Sequence, residues 1–414
     1  MTAGEAIEYN WELREKIASY GRGSVRGSID PEKTQYLGYT IGVLSYGWGP
    51  GPLGIGSTGS PRAERRRPLP AYAFRASDEV WGGRTRTRER PETTMTEIGY
   101  HASHEQFAPS ELLDLVELAE QSGFDHALAS DHFHPWSERQ GESGFVWSWL
   151  GSAMERTSLS FGTVNAPGYR YHPAIVAQAA ATLRESYPGR FWLAIGSGQL
   201  LNEGITGTDW PVKDERNARL EESAEVMRRL WDGEEVTHHG RITVERARLH
   251  TRPETAPPLI GAALSEETAR WLGRRGWTDG LITIGTPDRE ALEDRIEAFR
   301  EGSPDGDVYL KVQLSYDADE EAALEGAYDQ WRTNCVPGPV TQELRAPAEF
   351  DELGEEISRE QVADNVRVSA DLEEHRRWLE RDLELGVDRL LLHNVNREQR
   401  RFVEDFGESV LPEL

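Results

Sequence analysis

Ser130-Asp131-His132-Phe133-His134-Pro135-Trp136 gathers an acid, two imidazoles and an indole into one short run. These residue types suit proton transfer or metal ligation. The run follows Ala127-Leu128-Ala129, an apolar segment that reads as a buried strand. Its polar side chains therefore fall where a strand ends and a loop begins. In a barrel of alternating strands and helices, that rim carries active sites. Three uses compete for it: a redox-cofactor pocket, a metal site, or a solvated loop tip. His101 with His104, or His132 with His134, could ligate a metal, but spacing supplies no third ligand, and a metal site is the minority reading. His238-His239 lies in a polar, hairpin-like excursion and reads as solvated, while Trp147 and Trp149 read as packing residues.

The elements that must position this run alternate along the chain. Strands are predicted over 97–101, 126–130, 159–164, 191–196, 259–263, 280–284, 308–315 and 389–393. Helices are predicted between them over 110–122, 145–156, 173–186, 215–231, 266–275, 288–300, 320–332 and 372–385, with a last one over 398–410. The first shows the logic: Leu112, Leu115, Val116 and Ala119 recur at helical spacing, and Gly123 ends it. Eight strands alternating with helices predict an α/β fold, a parallel (β/α)₈ barrel. An open doubly wound sheet is the fallback, but no Gly-x-Gly-x-x-Gly run follows the first strand.

Charge divides the chain. Residues 1–94 hold 11 acidic and 14 basic residues, a net +3, whereas 95–414 hold 61 and 32, a net −29. The first part carries Pro/Gly clusters and the run Arg62-Ala63-Glu64-Arg65-Arg66-Arg67 without a sustained period, which predicts a poorly structured extension. Met95 stands at the join, so a start codon placed too early is one account of residues 1–94. The other is a basic arm for nucleic acid. Only four lysines occur, Lys16, Lys33, Lys213 and Lys311, against plentiful arginine. A dense carboxylate surface repels itself in dilute buffer and is screened by salt. This predicts a halophile's cytoplasmic enzyme that binds neither nucleic acid nor an anionic membrane. No apolar run reaches transmembrane length. The single cysteine, Cys335, excludes an intrachain disulfide.

Several ordered motifs carry a family resemblance. Gly99-Tyr100-His101-Ala102-Ser103-His104-Glu105-Gln106-Phe107-Ala108-Pro109 resembles the opening of the deazaflavin-dependent glucose-6-phosphate dehydrogenases. Ser130-Asp131-His132-Phe133 with Pro135-Trp136 is similar to their second-strand motif. Gly196-Ser197-Gly198-Gln199 with Leu201-Asn202-Glu203 is similar to their fourth, and Ser315-Tyr316-Asp317 recurs after the seventh strand. The wider group is the luciferase-like barrels, which use reduced FMN or coenzyme F-420, and a flavinoid subgroup described as not using F-420 looks closest. The resemblance implies an oxidoreductase that moves hydride, or a monooxygenase, acting on a small-molecule substrate. It also suggests a homodimer.

The same resemblance implies roles for individual residues. His132 would exchange a proton with a substrate hydroxyl, and Trp136 would line the reacting face. Asp131, Thr163, Val164, Asn165, Ser197, Gly198 and Asn202 would lie along the cofactor ring. Ser265 and the pair Gly285-Thr286, each before a helix, would hold its phosphate. Departures are equally specific. Gln199 replaces a glutamate thought to protonate the ring, and an amide cannot shuttle a proton at neutral pH. Leu264-Ser265 replaces a Gly-Gly pair. The segment 162–167 is one residue shorter than its counterpart, which carries a non-proline cis bond. Pro287 and Asn365 replace basic residues that bind the sugar phosphate, so glucose 6-phosphate is not the expected substrate. A metal-dependent hydrolase on the same barrel, or a flavin-binding protein without turnover, are the alternatives.

Overall fold

The computed structural model describes residues 96–414. The predicted extension over 1–94, and Met95 as a start, lie outside the described residues. Eleven strands occur among them: β1 (Glu97–Ala102), β2 (His126–Ser130), β3 (Ser160–Asn165), β4 (Phe191–Ile195), β5 (Val236–His239), β6 (Thr243–Ala247), β7 (Leu259–Ala262), β8 (Gly280–Ile284), β9 (Asp307–Ser315), β10 (Arg367–Val368) and β11 (Arg389–Asn394). Eight of them pair in parallel in the order β9-β11-β1-β2-β3-β4-β7-β8, and β8 pairs again with β9. The sheet therefore closes into a (β/α)₈ barrel. Each barrel strand lies within one residue of its expected limits.

Closure follows from two apolar layers. Strand residues alternate between the lumen and the surrounding helices. Leu128, Trp192, Ala194, Ile260, Ile282, Tyr309 and Leu391 fill the lumen, with Val164 and Ala262 packed against them. The opposite faces, such as Ala127, Ala129, Phe161, Leu193, Leu310 and Leu392, join the larger core beneath the helices. Gly162 is required in the lumen: a Cβ there would meet the Trp192 ring at 2.0 Å.

Two insertions interrupt the alternation of barrel strands and helices. β5 and β6 form an antiparallel hairpin, but His238 is not simply solvated. Its Nε2 lies 2.9 Å from the Glu222 carboxylate on the helix Lys213–Trp231, because the hairpin folds back onto that helix. Residues 333–371, to which the sequence pattern assigns no element, form helices Gly338–Thr341, Pro347–Gly354 and Arg359–Asn365, then β10, which pairs with the end of β9. Trp149 is buried and donates from Nε1 to the Pro109 carbonyl at 2.9 Å, and Trp147 packs near Phe191, as packing residues should. No cis peptide bond occurs among the described residues. None of their helices is long and apolar enough to cross a membrane.

Candidate active site

The strand β2 ends with Ser130 facing the lumen, two residues beyond Leu128. Beside it, the β1 loop contributes Ser103 and Glu105, both buried. The Glu105 carboxylate accepts hydrogen bonds from Ser130 Oγ at 2.6 Å and Ser103 Oγ at 2.9 Å, and abuts Nδ1 of His132. Burial alone would raise this carboxyl. The His132 imidazole, the Ser130 hydroxyl and His101 outweigh burial and hold it well below the usual carboxylate range. Glu105 thus holds the ring of His132 by its Nδ1 edge and turns Nε2 away from the carboxylate; in the neutral ring Nε2 is then the acceptor. Trp136 stands edge-on to that imidazole, ring centroids 5.1 Å apart, and is braced from behind by Phe350 at 5.5 Å. His132 keeps 23% of its side-chain surface open, enough to meet a substrate.

Asp131, the next residue along, turns the other way and is almost wholly covered. Its carboxylate accepts from Asn165 Nδ2 at the end of β3 and from Tyr171 OH at 3.1 Å. Arg170 Nη2 donates to the Asp131 carbonyl at 2.8 Å and lies 3.4 Å from Oδ1. The same guanidinium reaches Glu203 through Nε, at 3.6 Å, while the Arg170 backbone N–H donates to Glu203 Oε2 at 3.0 Å. Burial raises the Glu203 carboxyl to about 7, with Arg170 opposing. Asn202 ties the second loop to the fourth: its Oδ1 accepts from the N–H groups of Phe133, at 2.8 Å, and His134, at 3.1 Å. The ends of β2, β3 and β4 are therefore locked together, with the sequence-quoted Asp131 and Asn202 as their fasteners.

The other expected cofactor contacts, Thr163 apart, follow the same strand ends. Gly198, at φ +80°, occupies a backbone conformation that glycine adopts readily, and a Cβ there would meet Glu203 Cγ at 2.9 Å and Ala166 Cβ at 3.2 Å. Ser197 Oγ accepts from Lys213 Nζ at 2.7 Å, and burial lowers that ammonium to about 8. Gln199 is half-buried at the start of the short helix Leu200–Glu203. Val164 faces the lumen, whereas Thr163 shares the helix-facing side of β3 with Phe161. Ser265 caps helix Glu266–Gly273, its hydroxyl accepting from Thr268 N. Gly285 and Thr286 instead line a cavity of about 310 Å³ at the end of β8. The sequence-expected residues thus occupy a continuous arc of neighbouring strands, β2-β3-β4-β7-β8.

Glu105 stands in the sequence only as part of a motif, and the run Tyr169-Arg170-Tyr171-His172 reads there as a substrate-side wall or as a cap for the helix beginning at Pro173. In the structure His172 caps helix Pro173–Ser186, while Arg170 and Tyr171 hold Asp131. Lys213 and Lys311 were also passed over as site residues, although the scarcity of lysine marks them. The histidine pairs offered for metal ligation do not converge: His104 packs edge-on against Trp149 at 4.7 Å, and His134 Nδ1 is bonded to the Leu201 carbonyl at 2.9 Å. Among the described residues, no three His, Cys, Asp or Glu side chains are grouped to hold a metal.

A model of the luciferase-like monooxygenase family matches residues 93–389. The chain belongs to that family. It is an oxidoreductase of the luciferase-like fold, as its ordered motifs imply. An F-420-dependent glucose-6-phosphate dehydrogenase of Intrasporangium calvum is 39% identical over 334 residues, covering 77% of this chain and 99% of the relative. A protein of the same description from Microbacterium testaceum is 36% identical, covering 78% and 98%. Among solved structures, an F-420-dependent secondary alcohol dehydrogenase bound to an F-420–acetone adduct superposes with a TM-score of 0.71 at 31% identity, covering 77% and 99%. In this luciferase-like chain, the buried polar atoms near the arc that lack hydrogen-bond partners include Asn165 Oδ1 and Asn202 Nδ2. Asn165 Oδ1 and Asn202 Nδ2 offer one acceptor and one donor, the chemistry by which a polar heterocycle is held.

Proposed function

We propose that this luciferase-like protein is a dehydrogenase that binds coenzyme F-420 along the β2–β8 arc and interconverts a small alcohol and its carbonyl. FMN is the alternative ring. The Glu105–His132–Trp136 constellation carries this reading, because it presents one imidazole acceptor at the rim beside that arc. When bound, the ring supplies the hydride acceptor or donor. The chain's own residues do the rest. Glu105 orients His132, whose Nε2 takes or returns the hydroxyl proton, and Trp136 walls off the reacting side from water. Asn165, Asn202 and Gly198 would position the ring, Asp131 acting through its hold on Asn165, with Ser197, Ser265 and the backbone of Thr163 and Val164 along its edge. Gln199 would hydrogen-bond to it without exchanging a proton.

We also propose that glucose 6-phosphate is not the substrate. Pro287 and Asn365 line one cavity with Thr286 and Gln313, where neither offers a cation. Of the arginines there, Arg367 donates to both carboxylate oxygens of Asp382, and Arg289 to Glu293 and the Arg381 carbonyl. Only exposed Arg381 remains for a phosphate dianion. Protein loaded with F-420 is expected to turn over a simple secondary alcohol while its kcat/KM for glucose 6-phosphate stays at least about a hundredfold lower, as loss of two charged hydrogen bonds requires. Equal efficiency on the sugar phosphate would remove this assignment, and uptake of FMN alone would move it to the other ring.

The charge pattern supports a cytoplasmic protein of a high-salt cell. Its thermal midpoint is expected to rise by roughly 10 °C between about 0.1 M and about 3 M KCl, as salt screens the carboxylate surface. A midpoint indifferent to salt, followed by circular dichroism, would count against it.

A further inference from the structure

Across the lumen from the cofactor arc, β9, β11 and β1 contribute a second polar group, deeper than the rim. On β9 the lumen-facing Tyr309 is followed, two residues on, by Lys311. Lys311 pairs in register with Ile284 of β8 and Leu391 of β11, so it stands where the arc ends and the remaining wall begins. Its Nζ lies 5.8 Å from the centre of the Trp331 ring. The Trp331 ring is edge-on to His393 at 4.8 Å, and His393 lies 4.2 Å from His101. Burial drives both histidines well below their ordinary range, with Lys311 adding to the effect, so both are neutral. His393 Nε2 is already engaged with Gln106 Oε1 at 3.1 Å.

Lys311 is therefore the cation of this cluster, and nothing neutralises it at contact distance. No ion pair or hydrogen bond reaches its Nζ among the described residues. Glu105 is the carboxylate whose field it feels, and that carboxylate is committed to His132, Ser130 and Ser103. Burial lowers the ammonium to about 8, which leaves it mostly charged at neutral pH. Holding an unpaired ammonium in a barrel is costly, and the chain uses lysine at only four positions in 414. The side chain is not sealed, because part of its surface stays accessible in the lumen. An accessible, desolvated cation beside neutral partners is a receptor for an anionic oxygen.

We infer that Lys311 receives a carboxylate of the substrate, so that the reacting molecule is a small hydroxy or oxo acid spanning Lys311 and His132. This rests on the proposed dehydrogenase reading. Glu105 abuts His132 and is also the carboxylate whose field Lys311 feels, so the span suits a compact acid. The rival source of an anionic oxygen is an acidic group of the cofactor itself.

The test uses the full chain carrying lysine labelled with carbon-13 at Cε, whose four side chains give four separable signals. Oxalate is the probe and oxamide its uncharged counterpart. Oxalate is expected to move the Lys311 signal and raise its titration midpoint, while oxamide does neither. By calorimetry, Lys311→Met is expected to weaken oxalate binding at least tenfold while keeping the parent's circular dichroism and F-420 uptake. Loading F-420 first is expected to leave oxalate binding in place. An unmoved Lys311 signal, equal oxalate affinity in Lys311→Met, or displacement of oxalate by F-420 would each overturn the inference. Failure of the parent to take up F-420 or FMN would instead break the dehydrogenase reading, and the oxalate titration of the unloaded chain still reads Lys311 directly.

Discussion

His132→Ala is expected to lower turnover by about three orders of magnitude, within the range that loss of a positioned general acid–base covers. The expectation rests on how little else near the rim can hold the proton. Asp131 faces away and both its oxygens are taken by Asn165 and Tyr171. Gln199 has no proton to trade. His134 is tied to the Leu201 carbonyl. The variant should remain folded, because Glu105 keeps Ser103 and Ser130 as donors when the imidazole is gone. Single-turnover measurements with bound cofactor check it, with circular dichroism as the control. Unchanged turnover in a folded variant would remove His132 from the chemistry. Glu105→Gln should cost less, roughly tenfold to a hundredfold, since it loosens the ring without deleting it.

The barrel was legible because lumen and helix layers demand opposite alternation on every strand, and that pattern survives in the residue order. Leu128 and Ala129, adjacent in sequence, enter different cores. The rim motif was legible for a similar reason: Asp131 and His132 directly follow a strand whose end must lie at the mouth. What adjacency could not tell is that these neighbours face opposite ways, one as a fastener and one toward the lumen. Arg170 lies in the loop after β3, Glu203 in the short helix after β4 and Lys311 on β9, 39, 72 and 180 residues beyond Asp131. Their meeting depends on closure of the sheet, which no local period encodes. The 333–371 insertion was silent because its helices are short and bury few residues each, such as Phe350 and Leu353, or Val362. Composition did contain one usable signal: lysine is so rare that the two in the barrel mark special environments.

Glu203→Gln is expected to flatten the pH dependence of stability between about pH 5 and pH 8, by up to about 3 kcal/mol. Glu203 is only 2% exposed, so the penalty for charging it is barely relieved by solvent. Its carboxyl is raised to about 7, against 4.5 for a free glutamate, with burial as the main cause and Arg170 as the main opponent. The sign follows from which state holds the proton more tightly. Below about pH 4.5 both states are protonated and the group is neutral to stability. Between 4.5 and 7 the unfolded chain releases its proton while the folded chain keeps it, so charging is deferred at a growing cost to folding. Stability therefore falls as pH rises through that window and levels off above 7. Glutamine keeps an oxygen for the Arg170 N–H and removes the titration. Urea unfolding at pH 5 and pH 8 gives the comparison. If parent and variant fall equally, the Arg170 guanidinium has overcome burial and Glu203 is charged in the native state. If only the parent falls, a neutral Glu203 leaves the charge of Arg170 directed at Asp131, the carboxylate that locks three strand ends beneath His132.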